Sequence, residues 1–220
     1  MRINKYVSLA SGISRRKADL LLEKGEVKVN DQLAKIGQDI IENDKVTLNS
    51  KILTLPKYTT IMLNKPSGYV VSKNGQGSKT IYDLLPKNFS NLKPVGRLDK
   101  NSSGLLILTN NGEFSNKLAH PRFIKQKLYL VQTNKKISET DMESINNGVK
   151  LSDGISHMKI SRYKNDYYHI QMHEGKNRQI RRTLYQLGYM VTYLHRIKFA
   201  SFVLSDLQLG SYKKININDD

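Results

Sequence analysis

The sequence predicts an α+β protein in two unequal parts, a small N-terminal one and a larger one built on a mixed, largely antiparallel sheet. Two observations predict it. Beyond residue 58, segments with the alternation of strands and segments with the period of helices follow one another irregularly, without the regular βαβ order of a doubly wound fold. Ahead of that region, "NSKILTLPK" at 49–57, with Pro56, reads as a short extended connector, and a compact helix-then-strand pattern precedes it. The domains expected are therefore 1–48, a linker at 49–57, and 58–220. At 220 residues and 38% hydrophobic content the chain has enough apolar material for a core in each part.

In "SGISRRKADLLLEKGEVKVN", 11–30, Ser14 can cap a helix, Ala18, Leu21 and Leu22 recur on one face, Gly25 can end it, and Val27 and Val29 alternate as a strand does. Arg15, Arg16 and Lys17 occupy the first turn, where the helix dipole already places positive charge. That conflict suggests a site waiting for an anion such as phosphate. In the larger part, "YTTIMLNK", "GLLILT", "KLYLVQT", "HMKISRY" and "YYHIQMH" read as strands, and 113–119 and 177–187 as helices. No internal repeat is visible, and the tail "KKININDD" reads as a frayed end.

Lysine and arginine number 36 against 19 aspartate and glutamate, giving a formal charge of +17 and a pI of about 9.9. Such an excess points to a polyanionic partner, nucleic acid first. Residues 58–220 carry 25 basic and 12 acidic side chains, so both parts are basic. Absence of cysteine excludes disulfides, thiolate-bound zinc and thiol catalysis. No apolar run reaches membrane-spanning length and the first residues lack a secretory apolar core, so a cytoplasmic protein without membrane contact is expected.

"VGRLDKNSSGLLILTNNG", 95–112, sets Asp99 at the mouth of a continuous apolar strand. A lone carboxylate beside low-dielectric core tends toward its neutral form unless a cation is paired with it. Arg97 and Lys100 are adjacent in sequence, and "HEGKNRQIRRTLYQLG" supplies more cations. There Ile180, Leu184 and Leu187 define a buried helix face, Arg178, Arg181, Arg182 and Tyr185 share the remaining surface, and Gly188 closes the helix. One arginine could face the carboxylate while its neighbours hold phosphates.

"VGRLDKNSSGLLILTNNGEF" resembles the G-R-L-D motif of the RsuA-type pseudouridine synthases. "LNKPSGYVVS" at 63–72 resembles that family's K-P-x-G turn, "HPRFIKQKLYLV" at 120–131 its H-P…K-x-Y-x-V stretch, and "EGKNRQIRR" at 174–182 its E-G-x-x-x-Q-[VI]-R-R motif. Residues 2–48 resemble the S4 RNA-binding domain. The resemblance implies a pseudouridine synthase fold and isomerisation of a specific uridine in ribosomal RNA or a pre-ribosomal particle, with large-subunit RNA slightly favoured. It implies Asp99 as the catalytic carboxylate, Tyr129 stacked on the uracil and Arg181 paired with the aspartate. Arg97 would fill the gap left by the flipped nucleotide, and Leu194 would pack under the base. Lys127, Arg178 and Arg182 would bind substrate, and Arg15, Arg16 and Lys17 would contact RNA backbone. Asn111 stands where the family usually has Asp, and Ala200 where Gly is common.

The rearrangement breaks an N-glycosidic bond and makes a carbon one, which calls for no metal, nucleotide or redox cofactor. It does require the base to leave its stack. A monomer with no obligatory protein partner is expected. Competing motifs fail on spacing: His169 and His173 lie on a strand-like run with no metalloprotease helix, "NGQGSKT" lacks P-loop spacing, and Ser102 and Ser103 form no nucleophile elbow. A non-catalytic RNA-binding or ribosome-assembly protein on the same fold is the alternative, and its mark would be loss of Asp99, Tyr129 or Arg181.

Overall fold

The computed structural model describes residues 1–119 and 125–216, and the chain divides into two compact units, Met1–Tyr58 and Thr59–Asp220. The first unit holds α1 (Ile3–Ser11), α2 (Arg15–Glu23), β1 (Val27–Val29), β2 (Gln32–Leu33), β3 (Val46–Leu48) and β4 (Lys51–Ile52), the strands ordered β2-β1-β3-β4. Ile3 and Val7 lie one turn apart on α1, as do Ala18 and Leu22 on α2, and both pairs bury against Val27, Val29 and Val46. The Ser14 hydroxyl accepts from Lys17 N at 3.2 Å, capping α2 as expected. The expected connector is shorter than the sequence suggested. Lys51 and Ile52 pair with β3, and the Leu53 amide donates to Val46 O at 2.8 Å, so the first unit's sheet takes up half of 49–57.

The second unit holds β5 (Thr60–Lys65), β6 (Lys93–Pro94), β7 (Ser103–Thr109), α3 (Gly112–Ala119), β8 (Lys127–Thr133), α4 (Glu139–Asn147), β9 (Val149–Leu151) and β10 (Gly154–Ser156). β11 (Lys159–Lys164), β12 (Tyr167–Met172), α5 (Gln179–Gln186), β13 (Val191–Phe199), β14 (Phe202–Val203) and β15 (Tyr212–Lys214) complete it. Its large sheet runs β11-β12-β8-β13-β7-β5-β15, with β14 and β6 added on β13 and β7. Among the described residues the ladders are antiparallel except β13 with β7. The α+β class with a largely antiparallel sheet is therefore the observed one. The tail expected to fray does not do so at its start, because Tyr212–Lys214 pairs with β5; residues 217–220 lie outside the described residues.

Every residue of β7 is buried, because both faces of this central strand are covered. Leu106 and Leu108 join Ile61 and Leu63 of β5 in the main core, with Ile180 and Leu184 of α5. Leu105 and Ile107 point the other way, onto Met62, Phe114, Leu118 and Phe199. A one-residue register slip would exchange these two sets. Gly104 sits at φ +106°, and a Cβ there would meet Arg196 O at 2.3 Å, so the parallel contact of β13 with β7 requires glycine. Asn111 Oδ1 accepts from the amides of Glu113 and Phe114 at 3.0 and 3.1 Å. The side chain found in place of the family's aspartate thus still caps α3. No helix among the described residues is long and apolar enough to cross a membrane.

Candidate active site

β7 fixes the site, because the loop 96–102 that feeds it carries Arg97 and Asp99. Beneath this loop lies Lys65, the last residue of β5, whose side chain is 0% exposed. Its Nζ donates to the carbonyls of Ser102 at 2.7 Å, Pro66 at 2.9 Å and Asp99 at 3.2 Å. Burial pulls the Lys65 ammonium down to about 8, and the Asp99 carboxylate partly opposes that fall. One buried cation therefore gathers the carbonyls of the loop and fixes where Asp99 emerges. In the sequence this lysine belongs to the K-P-x-G turn, and nothing in its local pattern indicates burial.

From the other side, α5 and the turn before it close on the loop. Glu174 Oε1 accepts from Gln179 Nε2 and from the His157 amide, while Gln179 Oε1 accepts from the Lys176 amide at 3.0 Å. Lys127 Nζ donates to Glu174 O at 3.0 Å and His173 O at 3.3 Å. Burial lowers the Lys127 ammonium first, and the neighbouring Arg196 guanidinium lowers it further. The stapled turn delivers Arg178 as the N-cap of α5 in left-handed backbone, φ 47°. Its Nη1 lies 4.0 Å from Asp99 Oδ2.

The arginine expected to pair with Asp99 does something else. Arg181 donates from Nη2 to Asn101 O at 2.7 Å and from Nη1 to Val191 O at 3.0 Å, tying the Asp99 loop to the start of β13. Two rigid carbonyls hold its fork, so its influence on the carboxylate is a longer-range attraction and the near ion pair falls to Arg178. Burial and the Arg178 charge lower the Arg181 guanidinium, and Asp99 raises it.

A cavity of about 750 Å³ opens over Asp99. Tyr129 and Arg181, the other two catalytic candidates, line it with Asp99. So do Arg97, Lys127, Arg178 and Leu194. Tyr129 on β8 and Leu194 on β13 are 8% and 7% exposed and supply apolar wall. Arg182 is not brought to this cavity; its guanidinium binds Asp153 through two nitrogens at 2.9 and 2.8 Å. Arg15, Arg16 and Lys17 are exposed at the first turn of α2 in the first unit. His120 to Ile124 of the third motif lie outside the described residues. The sequence reading missed Arg196, which is 3% exposed, lines the cavity and donates from Nε to Leu105 O at 2.8 Å.

A cleft with apolar wall from Tyr129 and Leu194, the Asp99 and Glu174 carboxylates and a ring of cations suits flipping and reworking a nucleotide. Comparison with known proteins gives that chemistry a family. Residues 59–186 match the model of the RNA pseudouridylate synthase family, and the chain belongs to it. The chain is 36% identical to an uncharacterized RNA pseudouridine synthase of Aquifex aeolicus (strain VF5), over 98% of this chain and 90% of that one. It is 33% identical to the dual-specificity RNA pseudouridine synthase RluF of Salmonella typhi, over 100% and 76% of the two chains. It is 30% identical to the ribosomal large subunit pseudouridine synthase B of Bacillus subtilis (strain 168), over 97% and 91%. Among solved structures, a crystal structure of a pseudouridylate synthase superposes with a TM-score of 0.71 at 27% identity, covering 100% of this chain and 97% of that one.

Proposed function

We propose that this chain isomerises a uridine of ribosomal RNA to pseudouridine, with Asp99 as the catalytic carboxylate. One observation carries the reading: Asp99 projects from a loop pinned by Lys65 and Arg181 into a cavity walled by Tyr129 and Leu194, with Arg178 4.0 Å from its carboxylate. The uridine leaves its stack and enters the cavity. Tyr129 packs on the uracil, Leu194 lies under it, and Arg97, exposed on the loop, fills the space the base vacated. Asp99 works at the ribose, where attack at C1′ and proton removal from C2′ both begin from the same side chain. The N1–C1′ bond breaks and the detached uracil turns so that C5 bonds C1′, as the ester to Asp99 breaks or the proton taken from C2′ returns; the C5 hydrogen leaves as a proton and N1 takes one up from water. Lys127 and Arg178 hold backbone phosphate at the rim.

On this reading the first unit is an S4-type RNA-binding module, with Arg15, Arg16 and Lys17 on RNA phosphates at the start of α2. The substrate is large-subunit RNA, a preference supported by the name of the Bacillus subtilis relative and by "EGKNRQIRR". The test uses ribosomal RNA transcribed with tritium at uridine C5. Full-length protein releases tritium to water with one equivalent per target uridine, and Asp99→Ala releases none. Equal release from the two proteins removes Asp99 from the reaction, and no release from either on any ribosomal RNA removes that substrate.

A further inference from the structure

A second concavity, of about 680 Å³, lies along the solvent side of α5 and shares Arg178 and Arg181 with the cavity over Asp99. Its lining contains four cations, Lys150, Arg178, Arg181 and Arg182, and no carboxylate. Two acids outside the lining contact its cations: Asp153 pairs with Arg182 at 2.8 Å, and Asp99 lies 4.0 Å from Arg178. Between these cations stand two large side chains that the fold leaves open, Tyr185 at 73% and Met190 at 59% exposure. Tyr185 is on α5 one turn beyond Arg181 and Arg182, and its ring packs in none of the aromatic pairs among the described residues. The core does not need it there, since Ile180 and Leu184 already fill the buried face of the same helix.

We infer that this concavity is a second nucleotide subsite, taking an unpaired nucleotide next to the target uridine, its base on the Tyr185 ring and its phosphate between Lys150 and Arg178. The inference rests on the uridine-isomerising reading of the neighbouring cavity. Three features support it. Arg178 and Arg181 line both cavities, so one RNA strand can run from the first to the second along shared cations, and the lining of the second carries no carboxylate. A basic groove with an exposed aromatic is the usual means of holding single-stranded nucleic acid without reading its sequence. The left-handed backbone of Arg178 is strain at the junction of the two cavities, where a ligand-contacting residue accounts for it better than packing does. Protein occupants fit less well, because Lys150, Arg178, Arg181 and Arg182 would have to be desolvated together.

The test measures binding of full-length protein to single-stranded oligouridylate and to a fully paired RNA hairpin by fluorescence anisotropy. Tyr185→Ala is expected to weaken oligouridylate about ten-fold while leaving the hairpin within two-fold, and Tyr185→Phe to restore the loss, because stacking needs a ring and an unpaired base. Lys150→Ala is expected to lower the salt slope for oligouridylate by about 0.7. Unchanged oligouridylate binding in Tyr185→Ala, or equal losses on both probes, overturns the subsite. Wild-type tritium release from ribosomal RNA is measured alongside. If release fails while the ring-dependent binding persists, the functional reading is wrong and the single-strand site stands; if release succeeds and ring dependence is absent, the reverse holds.

Discussion

Arg178 reaches Asp99 from a strained backbone: its guanidinium Nη1 stands 4.0 Å from the carboxylate Oδ2, and its own φ is 47°. A non-glycine residue in the left-handed region costs on the order of 1–2 kcal/mol. Folding tolerates the cost because the Glu174–Gln179 staple fixes the turn. Replacing Arg178 by glycine should therefore leave Tm unchanged or raise it slightly while turnover falls roughly ten-fold or more, the pattern of a site that trades stability for activity. Thermal melts and single-turnover assays check it. A lowered Tm with unchanged turnover would mean that the arginine serves the fold alone.

Arg181 makes its two contacts with different nitrogens of one planar fork, to Asn101 O and Val191 O. Lysine offers one point charge on a flexible stem and cannot span both carbonyls. Arg181→Lys should destabilise the protein by about 2 kcal/mol in urea titration and depress kcat, since the Asp99 loop loses its tie to β13. Wild-type kcat in this variant would show that the loop needs no tie from α5.

Two small-residue changes have opposite signs. Ala200 turns the β13–β14 hairpin at φ 54°, a conformation that suits glycine, so Ala200→Gly should stabilise by about 0.5–1 kcal/mol. Gly104→Ala should cost about 3 kcal/mol or more, because the added methyl collides with the Arg196 backbone at 2.3 Å. Urea unfolding of both variants measures the pair, and equal effects would contradict the backbone geometry of β13 and β7.

Lys65 gives a pH prediction with a definite sign. Free lysine keeps its proton to about 10.5, whereas burial lets the folded Lys65 release it near 8. Between those values the unfolded chain binds more protons, so this group's contribution to stability rises with pH from 8 to 10.5 and is constant below 8. NMR titration of the Lys65 side chain should show a midpoint near 8, and a midpoint at the ordinary lysine value would show that the loop carbonyls hold the ammonium fully charged.

Much of this was legible in the sequence, and what was not has physical reasons. The strands with uninterrupted apolar or alternating patterns, β7 and β8 above all, fall where the residues suggested, because periodicity is set by local geometry. α5 was visible from Ile180, Leu184 and Leu187. α1 carries no start signal, because its N-cap, Arg2, makes no side-chain cap bond, whereas the equally short α2 has Ser14. β13 was read only as a stretch of family resemblance, since its burial follows from three neighbouring strands distant in sequence. Within the site, Asp99, Tyr129 and Leu194 were legible as motif residues, whereas the choice between Arg178 and Arg181 as the near cation depends on which carbonyls lie in reach. Lys65 and Arg196 were illegible because a buried cation's partners here are backbone carbonyls, which no side-chain pattern records.

The most direct measurement of the central claim is pseudouridine mapping of total ribosomal RNA by carbodiimide-stop sequencing, in cells lacking this gene and in the same cells given back the wild-type or the Asp99→Ala copy. The account predicts that one site disappears with the gene, returns with the wild-type copy and stays absent with Asp99→Ala. A site restored by Asp99→Ala, or a ribosomal RNA pattern unaltered by the deletion, would contradict it.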